Sequence, residues 1–249
     1  MHVIATLSPA AFDILWEDLR LGAVPYPLER RSHGETFEER ARIRAAVHAE
    51  LEHKGLARRG RPEPELEDAL RLLATPQLRL EGIFLPDLKA DEPIKSVVAA
   101  RGPYAVRVVQ RETTFVFDRV RDTALVSSLV EVLPGNKAGA GRSVSMPADA
   151  VRKGTSTYQP DLSPQVQIQL RELATIMEKP VVRTGQFSIS RADDHGKLRP
   201  VGGVSWFDTE AGRYANLDGR GNGGQPWVTV APADNSRLVQ QLNQLLSRN

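Results

Sequence analysis

The chain has 249 residues, 41% of them hydrophobic and 26% charged, which is enough for one large domain or two small ones. Its 33 basic and 31 acidic residues leave a formal net charge of +2, so no strong positive field is available for nucleic-acid binding. The absence of cysteine excludes disulfides, thiolate nucleophiles, Fe–S clusters and cysteine-type zinc sites. No apolar run approaches the roughly 20 residues of a membrane helix, and the N-terminus lacks the apolar core of a signal peptide. These features predict a soluble, intracellular globular protein that does not insert into membranes.

Helix-capping signals and period-two hydrophobic patterns follow one another along the chain. Ser8, followed by a proline, favours a helix start after a short strand at residues 3–7. Thr36 and Glu39 form the capping box of a second helix, which Gly55 is placed to end. Further helices are predicted at residues 64–75, 123–133, 163–178 and 235–246, the second of them capped by Asp122. Strands are predicted at residues 78–85, 94–102, 104–110, 113–120, 185–191, 202–208, 212–217 and 226–232.

The second half of the chain repeats the pattern of the first. LRLLAT at Leu70–Thr75 recurs as LRELAT at Leu170–Thr175. LVSSLVEVL at Leu125–Leu133 recurs in pattern as LVQQLNQLL at Leu238–Leu246. Both matches occur in the same order and at the same places of a helix–strands–helix unit, which predicts two related halves.

The fold class that follows is α+β, with two helix–strands–helix halves related by a quasi-two-fold axis. The whole chain, residues 1–249, is predicted to be one domain whose halves lie at about 1–134 and 163–249. Residues 135–162, rich in Gly, Ser, Lys and Pro and without sustained periodicity, are predicted to be a flexible connection between the halves. Residues 66–133 and 165–246 are expected to superpose.

Motifs for catalysis, cofactors and metals are missing or lie in the wrong context. Gly219, Gly221 and Gly224 satisfy G-x-G-x-x-G, but a predicted strand follows them, whereas a dinucleotide site needs a helix there. His48 and His53 are five residues apart on one helix and point in different directions, so they lack metal-ligand spacing. The sequence therefore predicts no catalytic residue, no cofactor and no metal site.

Motifs near both ends of the chain are specific enough to suggest a family. The N-terminal motifs are Phe12–Leu19, Leu21-Gly22, Pro25–Leu28, Gly34-x-Thr36, Glu38–Arg40 and Lys54–Leu56. The C-terminal motifs are Gly185–Phe187, Asp208-Thr209, Gly212–Tyr214 and Trp227–Asp234. Together, and in this order, they resemble the EspG family, the ESX secretion-associated proteins of actinobacterial type VII secretion.

This resemblance implies both a fold and a function. The implied fold is α+β, with quasi-two-fold halves, a central antiparallel sheet and helical bundles. The implied function is that of a cytosolic, non-enzymatic chaperone that binds the hydrophobic tip of a PPE protein in a PE–PPE heterodimer. Covering an exposed apolar patch would keep such a helical substrate soluble before export, and this needs apolar anchors without catalytic groups.

The resemblance also implies a partner-binding surface on the sheet, on the loop between its early strands and on the C-terminal helical bundle. Here that loop is PDLKADEP, short and polar apart from Leu88, which is expected near solvent. The candidate residues are Phe84, Leu85, Asp87, Leu88 and Lys89 near the loop, and Leu238, Leu242, Leu245 and Leu246 on the last helix. The spacing of the helix leucines is that of any buried helix face, which favours core packing over partner binding for them.

A second hypothesis is a small-molecule or nucleotide-binding enzyme that uses Asp208, His195 and the Gly219–Gly224 loop. His195 lies in an Asp-Asp-His-Gly sequence that is typical of a hairpin turn. The element after the Gly-rich loop distinguishes the two hypotheses, since a helix would favour the enzyme and a strand the chaperone.

Overall fold

The computed structural model describes residues 2–152, 163–220 and 224–247, and the chain divides into two units. Unit 1 comprises Met1–Ile83, Glu92–Val132 and Ile189–Pro200, and unit 2 comprises Phe84–Asp91, Leu133–Ser188 and Val201–Asn249. Each unit contains helices and antiparallel strands, which confirms the predicted α+β class. Among the helices described, none is long and apolar enough to cross a membrane.

Unit 1 is built from a sheet with helices packed on it. Its elements are β1 (His2–Leu7), α1 (Pro9–Asp18), α2 (Phe37–His53), β2 (Ala57–Arg58), β3 (Arg61–Pro62), α3 (Pro64–Ala74), β4 (Leu78–Leu85), β5 (Ile94–Arg101), β6 (Tyr104–Arg111), β7 (Thr114–Val120) and α4 (Leu125–Val130). The order of the sheet strands is β1-β7-β6-β5-β4, and β2 pairs with β3 as a separate ribbon. The last two residues of β4 belong to unit 2.

The capping signals place the first two helices of unit 1 as predicted. The hydroxyl of Ser8 accepts a hydrogen bond from the N–H three residues on, at 3.1 Å. The hydroxyl of Thr36 accepts from the N–H of Glu39 at 3.1 Å, but the Glu39 carboxylate accepts from the N–H of Glu35 instead of completing the capping box on Thr36. Gly55 ends α2 with a φ of +67°, in the left-handed region that glycine tolerates best.

Helices cover both faces of the unit 1 sheet. Val106 and Ala105 are consecutive residues of β6, so their side chains point to opposite faces. Val106 belongs to the main core under α1, α2 and α3, where the ring of Phe12 stacks on that of Phe115 with centroids 4.1 Å apart. Ala105 belongs to a smaller cluster on the other face, against which Leu125 of α4 packs.

One predicted helix start in unit 1 differs from the structure. Asp122 was expected to cap a helix over residues 123–133, but Asp122–Ala124 forms a 3-10 turn and α4 spans Leu125–Val130 only. The Asp122 carboxylate instead accepts a hydrogen bond from the N–H of Thr123 at 2.8 Å, which holds the turn and leaves the helix without a side-chain cap.

Unit 2 is a second sheet-and-helix arrangement. Its elements are β8 (Val144–Pro147), α5 (Ala148–Arg152), α6 (Pro164–Met177), β9 (Val181–Ala192), β10 (Leu198–Thr209), β11 (Gly212–Arg220), β12 (Pro226–Pro232) and α7 (Asn235–Ser247). Its strand order is β9-β10-β11-β12-β8. Residues 189–200, which form the end of β9 and the start of β10, belong to unit 1.

Part of the segment predicted to be flexible is folded. Residues 144–152 form β8 and α5, and β8 pairs antiparallel with β12. Val144 and Met146 alternate toward the core and are 0% and 1% exposed. This alternation covers only four residues inside a Gly- and Ser-rich segment, which is too short for a sequence pattern to detect. Residues 153–162 of the same segment lie outside the described part of the chain.

The two faces of the unit 2 sheet carry different contacts. Phe207 of β10 stacks on its cross-strand partner Tyr214 with ring centroids 5.3 Å apart, on the face that also packs against the leucines of α6. Gly202 and Trp206 lie four residues apart on the same strand, so both point to the opposite face. A Cβ on Gly202 would lie 3.3 Å from Leu245, which places α7 on that face.

The order of elements is the same in both proposed repeats. Four sequential strands, each beside the next, lie between two helices in α3-β4-β5-β6-β7-α4 and in α6-β9-β10-β11-β12-α7. The superposition of residues 66–133 on residues 165–246 stays a prediction, which a superposition of those two segments from an experimental structure would test.

Candidate partner-binding surface

The loop that follows β4 presents one apolar side chain to solvent. This exposed loop, residues 86–91, belongs to unit 2. Leu88 is 48% exposed, as expected from the sequence, and its neighbours Asp87 and Lys89 are also exposed. The Asp87 carboxylate accepts a hydrogen bond from the N–H of Lys89 at 2.8 Å, and its carbonyl accepts from the N–H of Ala90 at 2.9 Å. Residues 87–90 therefore form a tight turn, and Leu88 is the second residue of that turn.

The start of β9 holds the exposed loop through two consecutive residues. The N–H of Leu88 donates to the carbonyl of Val182 at 3.2 Å, and Val182 is itself 36% exposed. The Nε of Arg183 donates to the carbonyl of Pro86 at 3.0 Å. Leu88 and Val182 are thus two exposed apolar residues whose backbones are hydrogen-bonded to each other.

A fully buried ion pair lies behind this surface. Asp208 and Arg213 are cross-strand partners of the β10–β11 hairpin, and both are 0% exposed. The guanidinium of Arg213 donates to the two carboxylate oxygens of Asp208 at 2.7 and 2.9 Å. It also donates to the carbonyl of Pro134 at 3.2 Å and to the side chain of Asn235. Both carboxylate oxygens of Asp208 and each nitrogen of the Arg213 guanidinium therefore have a protein partner, as burial of charge requires.

One aromatic ring and a second guanidinium also contact this pair. The guanidinium carbon of Arg213 lies 4.5 Å from the ring centroid of Trp206, a cation–π contact. Nη1 of Arg183 lies 3.4 Å from a carboxylate oxygen of Asp208. Arg183 therefore connects the exposed loop to the buried pair.

The structure separates the sequence-predicted candidates near the loop into exposed and buried residues. Asp87, Leu88 and Lys89 are exposed, whereas Leu85 is half-buried. Phe84 is only 4% exposed and its ring packs on Trp206 with centroids 5.9 Å apart. Phe84 therefore offers no surface to a partner in this structure and belongs to the core.

The candidate leucines of α7 divide in the same way. Leu238 and Leu242 are 0% exposed, in agreement with the core packing that their spacing favours. Leu245 and Leu246, one turn further on, are half-buried, and Leu245 lies against Gly202 of β10. None of these four leucines is an exposed side chain.

The residues of the enzyme hypothesis have structural roles where the structure describes them. Both carboxylate oxygens of Asp208 are hydrogen-bonded to guanidinium groups. His195 is exposed in a turn, where its N–H donates to the carboxylate of Asp193 at 3.1 Å. The strand β12, not a helix, follows the Gly219–Gly224 loop, whose residues 221–223 lie outside the described part. Within the described residues, no three His, Asp or Glu side chains are grouped so that they could hold a metal ion.

Comparison with known proteins decides the family. The model of the EspG family matches residues 8–244 of the chain. The chain belongs to the EspG family. Its structure is similar to that of the Mycobacterium tuberculosis type VII secretion system chaperone EspG5, solved in complex with the PE25–PPE41 dimer. The TM-score is 0.73 at 15% sequence identity, with 97% of this chain and 95% of that chain covered, so the two share a fold. No curated protein gives a significant match to the sequence.

Three of the N-terminal motifs, through Asp13, Gly34 and Arg40, meet around a buried carboxylate of unit 1. Asp13 is 0% exposed, and its carboxylate accepts hydrogen bonds from Arg40 at 3.0 Å and from the N–H of His33 at 2.9 Å. Burial alone would raise the pKa of Asp13, but the hydrogen bonds from Arg40 and His33 outweigh it, so the pKa lies below its usual 3.8. Gly34 has a φ of +93°, and a Cβ there would lie 2.8 Å from the backbone nitrogen of Arg40.

The motifs Asp208-Thr209 and Gly212–Tyr214 form the β10–β11 hairpin around the buried pair. The hydroxyl of Thr209 accepts a hydrogen bond from the N–H of Ala211 at 3.1 Å within the turn. Gly212 has a φ of +129°, and a Cβ there would lie 2.7 Å from the carbonyl oxygen of Ala138. Tyr214 donates its hydroxyl to the carbonyl of Ala140 at 2.9 Å. The residues of this hairpin, like Asp13 and Gly34 near the N-terminus, therefore make contacts that the fold requires.

Sequence analysis missed Arg183, the residue that joins the exposed loop to the interior. Its hydrogen-bond partners, Pro86 and Asp208, are 97 and 25 residues away along the chain, so no local pattern could reveal them. The Asp208–Arg213 pair could have been predicted from the sequence. The two opposite charges lie on either side of a short turn, at positions that face each other across a hairpin.

Proposed function

We propose that this EspG-family protein is a cytoplasmic chaperone, without catalytic activity, that binds a helical PE–PPE-type substrate of type VII secretion and keeps it soluble before export. The observation that carries the proposal is the family match over residues 8–244. The shared fold with EspG5, whose structure was solved in complex with the PE25–PPE41 dimer, supports it.

The exposed loop supports the proposal with a surface of suitable chemistry. Leu88 and Val182 offer apolar side chains, and Asp87 and Lys89 place charges of both signs beside Leu88. An apolar centre with a polar, charged rim is the usual composition of a non-obligate protein interface. A specific complex buries on the order of 1,200–2,000 Å² in total, with most of the binding energy on a few anchors. We assign the role of anchor to Leu88.

Reconstitution with a defined client tests the function. The protein is co-expressed with the PE–PPE pair encoded nearest to its gene, and size-exclusion chromatography with light scattering measures the mass of the complex. A complex of one copy of each chain is expected, together with less aggregation of the PE–PPE pair than when that pair is expressed alone. If the protein and the pair elute separately and the pair aggregates equally with and without the protein, the proposed function is wrong.

A substitution at the loop tests the surface. Leu88→Asp should leave the free energy of unfolding within about 0.5 kcal/mol of the parent, because the side chain is exposed. It should weaken client binding at least tenfold, measured by biolayer interferometry, because it places a charge at an apolar anchor. Val3→Asp, at a valine that is 56% exposed in unit 1, is the matched control and should bind normally. Equal binding by both variants would place the client elsewhere.

A further inference from the structure

The side chain of Arg183 is hydrogen-bonded both to the exposed loop, at the carbonyl of Pro86, and to the buried carboxylate of Asp208. We propose that Arg183 is a positioning residue, which holds the exposed loop in the conformation that presents Leu88 to the client. The inference rests on the proposed function for its client, but the ordering of the loop can be measured in the free protein.

Two tethers hold the loop, and both come from adjacent residues of β9. The N–H of Leu88 donates to the carbonyl of Val182, and the Nε of Arg183 donates to the carbonyl of Pro86. Both tethers use backbone atoms of the loop, so they fix the path of the chain on either side of Asp87. The bond from Arg183 has a charged donor, and charge-assisted hydrogen bonds are stronger than those between neutral groups, so it is the more important of the two.

The other end of the Arg183 side chain is held by an immobile group. Asp208 is fully buried and bound at both oxygens by Arg213, so it cannot rotate away from Nη1 of Arg183. The ring of Phe84, two residues before Pro86, packs on Trp206 of the same buried centre. The chain entering the loop is therefore fixed by packing at Phe84 and by a charged hydrogen bond at Pro86.

Arginine suits this position better than lysine because its planar fork carries several donors in fixed directions. Arg183 uses Nε for the loop carbonyl and Nη1 for the carboxylate, and a single ammonium at the end of a flexible chain cannot reproduce that pair of directions. A loop that is already ordered in the free protein also loses less conformational entropy when the client binds. Arg183 therefore acts on affinity through the loop, without needing to contact the client.

Hydrogen exchange on the free protein, followed by client binding, tests the inference. In Arg183→Gln the exchange of the loop amides at residues 87–90 should rise about tenfold, because local opening becomes easier. Affinity for the PE–PPE pair should fall about five- to tenfold through ordering alone, and Arg183→Lys should recover part of both effects. Arg199→Gln is the matched control, since Arg199 also lies on a strand and bonds a carboxylate through Nε, at 2.9 Å to Asp193. It should change neither quantity.

The outcomes separate this inference from the proposed function. Unchanged loop exchange in Arg183→Gln overturns the inference whatever the client does. Faster exchange with unchanged client affinity overturns it too, because the ordering of the loop would then not matter for binding. Faster exchange throughout the protein would show a general loss of folding, and it would also overturn the positioning role. If the parent protein binds no PE–PPE pair, the proposed function fails, and loop exchange alone decides whether Arg183 orders the loop.

Discussion

The buried Asp208–Arg213 pair gives the sharpest test of how unit 2 is stabilised. Asp208→Asn keeps the size of the side chain but removes its charge, and it turns one acceptor into an N–H₂ donor that faces the guanidinium of Arg213. Both side chains are 0% exposed, so water cannot replace the lost partner. Removing one member of a buried pair costs about 3–5 kcal/mol. A typical folded protein has only about 5–15 kcal/mol of stability in total, so the variant should be marginal.

Removing both charges should cost less than removing one. The double variant Asp208→Leu with Arg213→Met leaves no uncompensated charge and fills the site with apolar atoms, an exchange that is often neutral or stabilising. Arg183 is 35% exposed and can turn its guanidinium to solvent when Asp208 is lost. We therefore expect a favourable coupling energy of roughly 2 kcal/mol or more between the two sites in a double-mutant cycle.

Urea unfolding followed by far-UV circular dichroism measures these free energies for the parent, for Asp208→Asn, and for the cycle made of Asp208→Leu, Arg213→Met and the double variant. Asp193→Asn serves as the control, because its partner Arg199 is 60% exposed and an exposed pair contributes little. The reasoning is refuted if Asp208→Asn loses less than about 1 kcal/mol, well below the loss expected for a buried pair. It is also refuted if the double variant loses the sum of its two singles.

Two further predictions concern a buried carboxylate of unit 1 and a closely packed glycine of unit 2. Because the folded-state pKa of Asp13 lies below 3.8, its carboxylate stabilises the fold fully above that value and stops doing so as the pH falls through the folded-state pKa. Asp13→Asn should therefore flatten the loss of stability between about pH 5 and pH 2 in urea unfolding, and an unchanged slope would contradict this. Gly139→Ala would place a Cβ 2.2 Å from the buried ring of Tyr214 and should cost about 1–3 kcal/mol. Gly135→Ala, with nothing within 4 Å, should be neutral, and equal losses in the two variants would contradict the argument.

The elements that the sequence predicted best are those whose signals are local. The strand at residues 78–85 is β4 to the residue, because its pattern is bounded by turn residues at both ends. The capping box at Thr36 gave the start of α2 for the same reason. β9 and β10 are 12 residues each, longer than predicted, because most of the residues that extend them are exposed or half-buried and do not alternate between apolar and polar.

The candidate site residues differ in burial, and the burial of a side chain depends on residues that are distant in the sequence. Leu88 lies between a proline and several charged residues, so its exposure could be predicted from composition around it. Phe84 is four residues earlier and is apolar too, but its ring meets Trp206, which is more than a hundred residues away in the chain. Arg183 was invisible for the same reason, since both of its partners are distant in sequence. A sequence pattern indicates that a residue is apolar or charged, whereas the partner it meets depends on the folded sheet.

The buried carboxylates and the residues proposed to bind the client have different physical constraints. Asp13 and Asp208 are fully buried and bound to arginines, so a change at either one disturbs the fold. The exposed loop is held instead through the carbonyl of Pro86 and the N–H of Leu88, which are backbone atoms. Side chains at the exposed loop positions can therefore vary without loss of either tether. Under the proposed function, substitutions in the exposed loop can therefore change client binding without disturbing the buried ion pairs of the fold.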